Sequence, residues 1–328
     1  MHYLVTGSSG FIGPHLISKL LSMGHSCRCL LRPDSNVGML KGQEVEIVRG
    51  DITKANTLKG LADGMDVLLH LATLGHMSNF TVTESQFEEV NVKGTINVMY
   101  EALRSGVPKV VHCSTVAAMG ICPQVPANED TPCNPHHPYG RSKLTAENAV
   151  LHDVTEKGLP AVIVRFSMVY GPGDWRDILK LTRMAKKSLF PRVGNRPKLT
   201  PLIHVEDAVR GLLAAAEKGR RGEIYLITNK HSEPFDRMIG IIQDTLGVRG
   251  IPLFVPEWLA LSSASCIEKV FSFFGKHPPV TRKNIESTLA DRVFSIEKAQ
   301  KELGFIPQVD PENGLRDTVL WYKKNGWV

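Results

Sequence analysis

The chain has 328 residues, of which 42% are hydrophobic and 22% are charged, a balance typical of a globular protein with one large domain or two modest ones. It excludes intrinsic disorder, collagen and long coiled coils. The formal net charge of +6 is small for this length, so we predict no nucleic-acid partner.

Short apolar runs alternate with helical patterns along the first half of the chain. Strands are predicted at 2–6, 26–31, 45–48, 67–71, 110–113 and 161–166, and helices at 11–23, 56–62, 87–105 and 139–157. Alternating strands and helices form a parallel sheet with right-handed crossovers. The predicted fold class is therefore α/β, with a doubly wound parallel sheet of the Rossmann type.

The alternation weakens after Gly171. Prolines punctuate 172–201, a helix at 203–218 and a strand at 224–227 follow, and the tail from Pro234 has mainly helical patterns. We predict two domains. Residues 1–166 plus 203–228 form the Rossmann domain, and 167–202 plus 229–328 form a smaller, mostly helical C-terminal domain for the substrate.

A glycine-rich turn separates the first strand from the first helix. Gly7, Gly10 and Gly13 are spaced three residues apart. In this context the glycines permit a tight turn, a close approach of a pyrophosphate to the backbone, and packing of the helix on the strand. The helix N-terminus then presents free N–H groups to the phosphates. A dinucleotide site is therefore predicted here.

The end of the second strand bears on the choice between NAD and NADP. Arg32 follows Leu31, where an acidic residue would bind the ribose hydroxyls of NAD. Arg32 can pair with a 2′-phosphate, with Ser35 as a nearby donor, so NADP is favoured over NAD. Asp51, at the end of the third strand, is predicted either to accept a hydrogen bond from the adenine amino group or to cap a helix.

Tyr139 and Lys143 lie four residues apart and project from one face of a predicted helix. A nearby ammonium favours the phenolate form of a tyrosine and lowers its pKa, which makes it a proton-transfer group. A third hydroxyl is expected from the fifth strand. Because side chains alternate along a strand, only one of Ser114 and Thr115 can face the site.

Other chemistry-bearing residues have more ordinary interpretations. The basic stretch from Arg176 to Lys198 is either a solvated helix face with a loop or a funnel for an anionic ligand. The histidines at 70, 112, 136, 137 and 204 are not spaced as metal ligands usually are, so we predict no metal site. His204 is expected to pack between the sheet and the helix that follows it. Asp207 is expected to cap or order that helix. The six cysteines have no zinc spacing and are predicted to be reduced, in a cytoplasmic protein.

We expect no signal peptide, because a strand begins almost at Met1 and leads directly into the glycine turn. We expect no membrane span, because no charge-free apolar run of about eighteen residues occurs. The apolar segment 251–275 is expected to line or cover an apolar substrate pocket rather than to lie on a membrane surface. Its large side chains are Trp258, Leu259, Leu261, Phe271, Phe273 and Phe274.

Taken together, these motifs resemble the extended short-chain dehydrogenase/reductases, also called the NAD-dependent epimerase/dehydratase family. The matching segments are Thr6–Gly13, Gly50–Ile52, His70–Ala72, Asn91–Thr95, Tyr139–Lys143, Arg165 with Tyr170–Gly173, and Ile203–Asp207. They span about two-thirds of the chain in the family's order. The end of the chain, from Phe294 to Leu315, is also similar.

The resemblance implies roles for individual residues. Tyr139 is implied as acid/base, Lys143 as its activator and ribose ligand, Thr115 as the active hydroxyl with Ser114 as the alternate, and Asn91 as a structural and proton-relay residue. The predicted cofactor-binding residues are Gly7, Ser9, Gly10, Phe11, Ile12, Arg32, Asp51, Ile52, Leu71, Ala72, Tyr139, Lys143 and Phe166. The implied cofactor is NADP or NAD.

The branch of the family sets the function. Met168 and Thr200–Leu202 stand where sugar-nucleotide enzymes of the family usually carry an asparagine and an arginine. The apolar tail looks more like the 3β-hydroxysteroid dehydrogenase-like and dihydroflavonol-reductase-like branch. We therefore predict a reductase or dehydrogenase for a small, apolar secondary alcohol or ketone. The alternatives are a nucleotide-sugar epimerase or dehydratase, which the basic stretch favours, and a non-catalytic NADP-binding protein. Helices 87–105 and 139–157 are predicted to pair in a homodimer.

Overall fold

A computed structural model of the chain describes residues 1–35, 38–75, 82–187, 189–194, 198–249, 251–273 and 281–328. The strands are β1 (His2–Thr6), β2 (Ser26–Leu31), β3 (Glu46–Arg49), β4 (Val67–His70), β5 (Lys109–Thr115), β6 (Ala161–Phe166), β7 (Met168–Tyr170), β8 (Leu189–Val193), β9 (Leu199–Thr200), β10 (Leu202–His204), β11 (Ile224–Ile227), β12 (Glu233–Pro234) and β13 (Ile251–Val255). Seven of them form one parallel sheet in the order β11-β6-β5-β4-β1-β2-β3. The predicted α/β fold with a doubly wound parallel sheet is confirmed.

Helices pack on both faces of this sheet. The helices of the described residues are α1 (Ile12–Ser22), α2 (Glu84–Phe87), α3 (Gly94–Arg104), α4 (Pro138–Lys157), α5 (Asp177–Lys186), α6 (Val205–Lys218), α7 (Phe235–Leu246), α8 (Glu257–Phe273), α9 (Arg282–Leu289) and α10 (Pro311–Lys324). Residues of α1 and α6 pack with Val5, Val111 and Val164 on one face of the sheet. Residues of α3 and α4 pack with Leu4 and Val110 on the other. Neighbouring residues of β1 and β5 thus enter opposite cores, as the alternation of side chains along a strand requires.

Two predicted helices differ in the structure. The helix expected at 56–62 is wrong, because only one 3₁₀ turn forms, Ala55–Leu58, and Gly60 and Gly64 then take φ of +81° and +75°, which no helix continues. The helix expected at 87–105 begins earlier, at α2, where Thr83 and Gln86 form a capping box. A π-helical turn, Glu88–Lys93, then joins α2 to α3.

The proline-punctuated stretch contains strands that the sequence did not predict. β7 pairs with β10, β8 with β13, and β9 with β12. The helix predicted from Ile203 instead starts at Val205, because His204 has extended backbone and its Nδ1 accepts a hydrogen bond from the Glu206 amide at 3.4 Å.

A further core joins α5, α7 and α10 around Tyr170, Met238 and Tyr322. Asp207 connects α6 to the segment that precedes α10. Its carboxylate accepts hydrogen bonds from the amides of Gln308 at 2.8 Å and Val309 at 2.9 Å. Asp207 was expected to cap or order α6. Its ion pair with Arg210 on the same helix fits the ordering role, and Asp207 also orders the segment that precedes α10.

The apolar segment from Ile251 forms β13 and α8. Trp258 is 68% exposed and Leu259 is 43% exposed, and neither Leu261 nor Phe271 lines the large cleft described below. The expectation that these four side chains line a substrate pocket is therefore wrong, and the alternative that the segment covers one stays a prediction. Phe274 and the side chain of Phe273 lie outside the described residues. Among the helices that the structure describes, none is long and apolar enough to cross a membrane.

Candidate active site

A cleft of about 1190 Å³ opens at the carboxyl ends of the parallel strands. Gly7 follows β1, Arg32 follows β2, Leu71 follows β4 and Thr115 ends β5, and all four line it. This edge of a doubly wound sheet is where such folds bind their ligands.

Nearly all the residues that the sequence predicted for the site line this cleft. The predicted cofactor-binding residues that line it are Gly7, Ser9, Gly10, Phe11, Ile12, Arg32, Asp51, Ile52, Leu71, Ala72, Tyr139, Lys143 and Phe166, and the predicted catalytic residues are Ser114, Thr115, Tyr139 and Lys143. Asn91 is buried behind the wall instead.

The glycine turn is shaped to receive a phosphate group. Gly7 has φ of +73°, and a Cβ there would lie 2.6 Å from the Ala72 amide nitrogen. A Cβ on Gly13 would lie 2.6 Å from the carbonyl carbon of Ser8. Both glycines are therefore required for the turn to pack against its neighbours. Residues Gly10–Gly13 at the start of α1 line the cleft. Because the first N–H groups of a helix have no partner within the helix, the residues present fit a dinucleotide diphosphate.

Arg32, Ser35 and Asp51 border the end of the cleft that is predicted to hold adenosine. The Arg49 guanidinium donates hydrogen bonds to the carbonyl oxygens of Arg32 at 2.8 Å and Ser35 at 3.1 Å, which holds that loop. Asp51 Oδ1 accepts hydrogen bonds at 2.9 Å from both the amide and the hydroxyl of Thr53. Asp51 thus orders the turn that follows β3 and also faces the cleft. Its predicted helix cap is wrong, because the 3₁₀ turn Ala55–Leu58 begins after Lys54 and has no side-chain cap, and its contact with adenine stays a prediction.

Helix α4 carries Tyr139 and Lys143 into the cleft. The Tyr139 phenol lies near the Thr115 side chain. Burial raises the pKa of the phenol to about 12, against the lowering effects of the Arg176 charge and the Thr115 hydroxyl. Lys143 Nζ donates to the Cys113 carbonyl oxygen at 2.7 Å. Burial lowers the pKa of Lys143 to about 8.

The two candidate hydroxyls at the end of β5 point to different partners. Thr115 contacts Tyr139 and also accepts a hydrogen bond from the Ala117 amide at 3.2 Å. The Ser114 hydroxyl donates to the carboxylate of Glu147. Adjacent residues of a strand face opposite ways, and the packing of α4 decides which of the two meets the phenol.

Asn91 holds the backbone beside the cleft. Its side-chain oxygen accepts from the Leu74 amide at 2.7 Å, and its amide nitrogen donates to the Leu74 carbonyl at 3.1 Å and to Ser142 Oγ at 3.0 Å. Ser142 Oγ in turn donates to the carbonyl of Tyr139 at 2.9 Å. Asn91 therefore ties the loop after β4 to the first turn of α4.

Comparison with known proteins settles the family. The model of the "NAD dependent epimerase/dehydratase family" matches residues 3–228, which is more than half of the chain. The chain belongs to this family. It is therefore an enzyme of a family that uses a nicotinamide cofactor, as predicted.

Individual relatives of this family member cover its whole length. "Sterol demethylase protein B" of Methylococcus capsulatus is 29% identical over 338 residues, covering 100% of both chains. The crystal structure of gox2253 is 30% identical with a TM-score of 0.89, covering 99% of both chains. DesIV, a dTDP-glucose 4,6-dehydratase from Streptomyces venezuelae solved with NAD and TYD bound, is 27% identical with a TM-score of 0.81, covering 100% of this chain and 98% of that one.

A buried ion pair below the cleft was not predicted from the sequence. Arg165 on β6 donates through Nη2 to Glu147 Oε2 at 2.7 Å, and the two side chains are 4% and 1% exposed. Glu147 lies four residues after Lys143, so the spacing Tyr139, Lys143, Glu147 on one helix face was the available signal.

The basic stretch contributes two residues to the cleft, Arg176 and Lys198. Lys180, Arg183, Lys186 and Lys187 are exposed residues of α5 and its end and do not line it. Arg196 lies outside the described residues, as does the side chain of Arg192. The structure thus has the solvated helix face, and the funnel for an anionic ligand stays a prediction.

Two buried histidines stack beneath the cleft. The rings of His70 and His112 lie 5.4 Å apart on the adjacent strands β4 and β5. His70 hydrogen-bonds with Thr6 Oγ1 at 2.7 Å and Thr95 Oγ1 at 3.0 Å. Among the described residues, His112 has no hydrogen-bond partner for either ring nitrogen. No group of three or more metal-ligating side chains occurs in the part of the chain that is described.

These histidines should make the protein sensitive to acid. Burial lowers the pKa of His70 to about 3 and that of His112 well below its ordinary value, in both cases aided by the Lys143 charge. Below about pH 6.5 the unfolded chain therefore takes up two protons that the folded chain does not, and the free energy of unfolding falls by up to about 1.4 kcal/mol per pH unit for each histidine.

We expect the His112→Phe variant to lose less stability than the wild type when urea unfolding is compared at about pH 7.5 and about pH 5. His152→Phe, an exposed position on α4, is the matched control. An equal loss in wild type and His112→Phe would contradict the assignment.

Proposed function

We propose that this enzyme transfers hydride between a nicotinamide cofactor and a secondary alcohol or ketone on a small, largely apolar molecule. The contact between the Tyr139 phenol and the Thr115 hydroxyl inside the cleft carries the proposal. Two hydroxyl groups that meet there can hold one substrate oxygen while one of them exchanges its proton.

In this proposal Tyr139 exchanges a proton with the substrate oxygen at its phenolic oxygen, and Thr115 orients that oxygen. The bound nicotinamide supplies or accepts the hydride. With a pKa raised to about 12 by burial, the phenol is protonated at neutral pH and suited to donate to a ketone. The Lys143 ammonium stabilises the phenolate that results and binds the ribose hydroxyls through the N–H groups not used by Cys113.

NADP is the proposed cofactor, with NAD as the alternative. Arg32 lies at the cleft wall with a side chain that is 69% exposed, and its nearest carboxylate is that of Asp34 at 3.8 Å. Because this ion pair is long and solvated, the guanidinium is available to a 2′-phosphate at little cost. The NAD bound to DesIV supports the alternative.

A second candidate is a nucleotide-sugar epimerase or dehydratase, favoured by the likeness to DesIV and by cations on the cleft wall. The substrate end of the cleft favours the first. Met168, Leu199, Pro201, Phe235 and Leu289 line it. Such side chains stabilise an apolar ligand through burial.

We also propose a homodimer formed by α3 and α4. Ile96 and Tyr100 lie one turn apart on α3 and are 41% and 63% exposed. An apolar pair of this kind suits a four-helix interface.

We also place the enzyme in the cytoplasm, which its six free thiols support. We assign substrate binding to the domain formed by residues 167–202 and 229–328.

The test is a thermal-shift panel followed by turnover. We expect NADP(H) to raise the melting temperature more than NAD(H), and ketosteroid-like ketones to raise it further than UDP-sugars in the presence of cofactor. Oxidation of added NADPH on mixing with such a ketone would complete the case. Stabilisation by UDP-sugars but not by ketones, with nicotinamide that copurifies, would favour the epimerase or dehydratase. Stabilisation by NADP without turnover of any alcohol or ketone would indicate a binding protein.

A further inference from the structure

The loop after β7 packs directly on the glycine turn. His15 Nε2 lies 3.2 Å from the carbonyl oxygen of Pro172, and the ring of Trp175 meets the ring of Phe11 edge-on at 6.3 Å. The guanidinium of Arg176 lies over the face of the same phenylalanine, 4.8 Å from the ring centroid. Phe11 immediately precedes α1, so Arg176 lies beside the turn that fits the diphosphate.

Arg176 is fixed in this position by polar contacts. Its Nε donates to Asp174 Oδ1 at 2.8 Å, its amide donates to the same oxygen at 3.1 Å, and its Nη2 donates to the Val169 carbonyl at 2.8 Å. Asp174 is itself buried, and its carbonyl oxygen accepts a hydrogen bond from the Tyr322 hydroxyl at 2.6 Å. The side chain is therefore held before any ligand arrives, which reduces the entropic cost of binding through it.

The opposite edge of the guanidinium remains open to the cleft. Arg176 lines the cleft and its side chain is 40% exposed, although its partner Asp174 is only 1% exposed. Among the described residues, Nη1 makes no hydrogen bond, so its two N–H groups can bind a ligand. The charge also acts across the cleft, because it lowers the pKa of Tyr139.

We propose that Arg176 is a cofactor-binding residue whose guanidinium, fixed beside the glycine turn, binds a diphosphate oxygen of the dinucleotide. The inference rests on the proposed NADP-dependent function. In this arrangement the N–H groups of α1 and the Arg176 guanidinium both bind the diphosphate. The site would accept ADP-ribose and either dinucleotide, because all of them share the diphosphate.

The experiment is direct binding to the folded protein, with no turnover involved. Calorimetry with ADP-ribose and NADP is compared for wild type, Arg176→Gln and Arg176→Lys. We expect Arg176→Gln to weaken both ligands by about 10- to 100-fold, the range for a lost charge-assisted hydrogen bond, and Arg176→Lys to recover part of the affinity. Binding by the glutamine variant should also depend less steeply on salt.

Three controls keep the result interpretable. Lys180→Gln removes an exposed cation of α5 outside the cleft and should leave both affinities unchanged. AMP has no second phosphate, so the loss with Arg176→Gln should be several-fold smaller for AMP than for ADP-ribose. The double variant Asp174→Asn with Arg176→Gln avoids a buried, unpaired carboxylate and should show the same loss as Arg176→Gln in a protein that melts near the wild-type temperature.

Unchanged ADP-ribose affinity in the folded double variant would overturn the assignment, as would equal losses for AMP and ADP-ribose. A wild-type protein that binds neither dinucleotide would instead refute the proposed function itself.

Discussion

Replacing Tyr139 with phenylalanine is expected to reduce kcat by roughly 10²–10⁴-fold, the range attributed to a positioned acid/base group. The substitution removes only the hydroxyl that contacts Thr115 and keeps the ring, which lies 5.9 Å from that of Phe87. The cofactor dissociation constant should therefore stay within about threefold of wild type, since a ring retained in place preserves most binding contacts. Steady-state turnover and calorimetric cofactor titration measure the two effects separately.

Tyr100→Phe is the matched control, because this tyrosine lies on the outer face of α3, outside the cleft. It should turn over substrate at the wild-type rate. Retained turnover in Tyr139→Phe would remove the phenol from the mechanism. An equal loss in both variants would point to a change in the assembly or fold instead.

The second large effect concerns stability. Glu147→Ala should lower the free energy of unfolding by about 3–5 kcal/mol, because it leaves the Arg165 guanidinium buried without its counter-charge. It also removes the acceptor of the Ser114 hydroxyl. Guanidinium chloride unfolding at neutral pH measures the change as a shift of the midpoint at constant slope.

Two further variants show whether the burial of the charge is the cause. Glu156→Ala removes an exposed glutamate from the same helix and should change stability by less than about 0.5 kcal/mol. The double variant Glu147→Met with Arg165→Met removes both buried charges and should be more stable than Glu147→Ala alone. If Glu147→Ala unfolds at the same denaturant concentration as Glu156→Ala, the ion pair contributes nothing measurable.

Local patterns predicted well where one short segment decides the conformation. The strand at Ile224–Ile227 and the glycine turn both follow from the chemistry of adjacent residues, and the structure has them where they were expected. The helix expected at 56–62 does not form, because its apolar pattern is interrupted by Gly60, which takes a positive φ, and Gly64 follows with another. Sequence patterns did not predict the short strands β7–β10, because each is stabilised by a partner strand that is distant along the chain.

The sequence by itself determined the family, the parallel sheet and the residues that surround the cleft, because glycine spacing, strand alternation and helical periodicity are all local properties. Only the tertiary structure decided that Thr115, and not Ser114, meets Tyr139, and that Arg176 returns to lie over Phe11. Those contacts join segments that lie far apart along the chain. Their geometry depends on how helices pack across the sheet, which no single segment encodes.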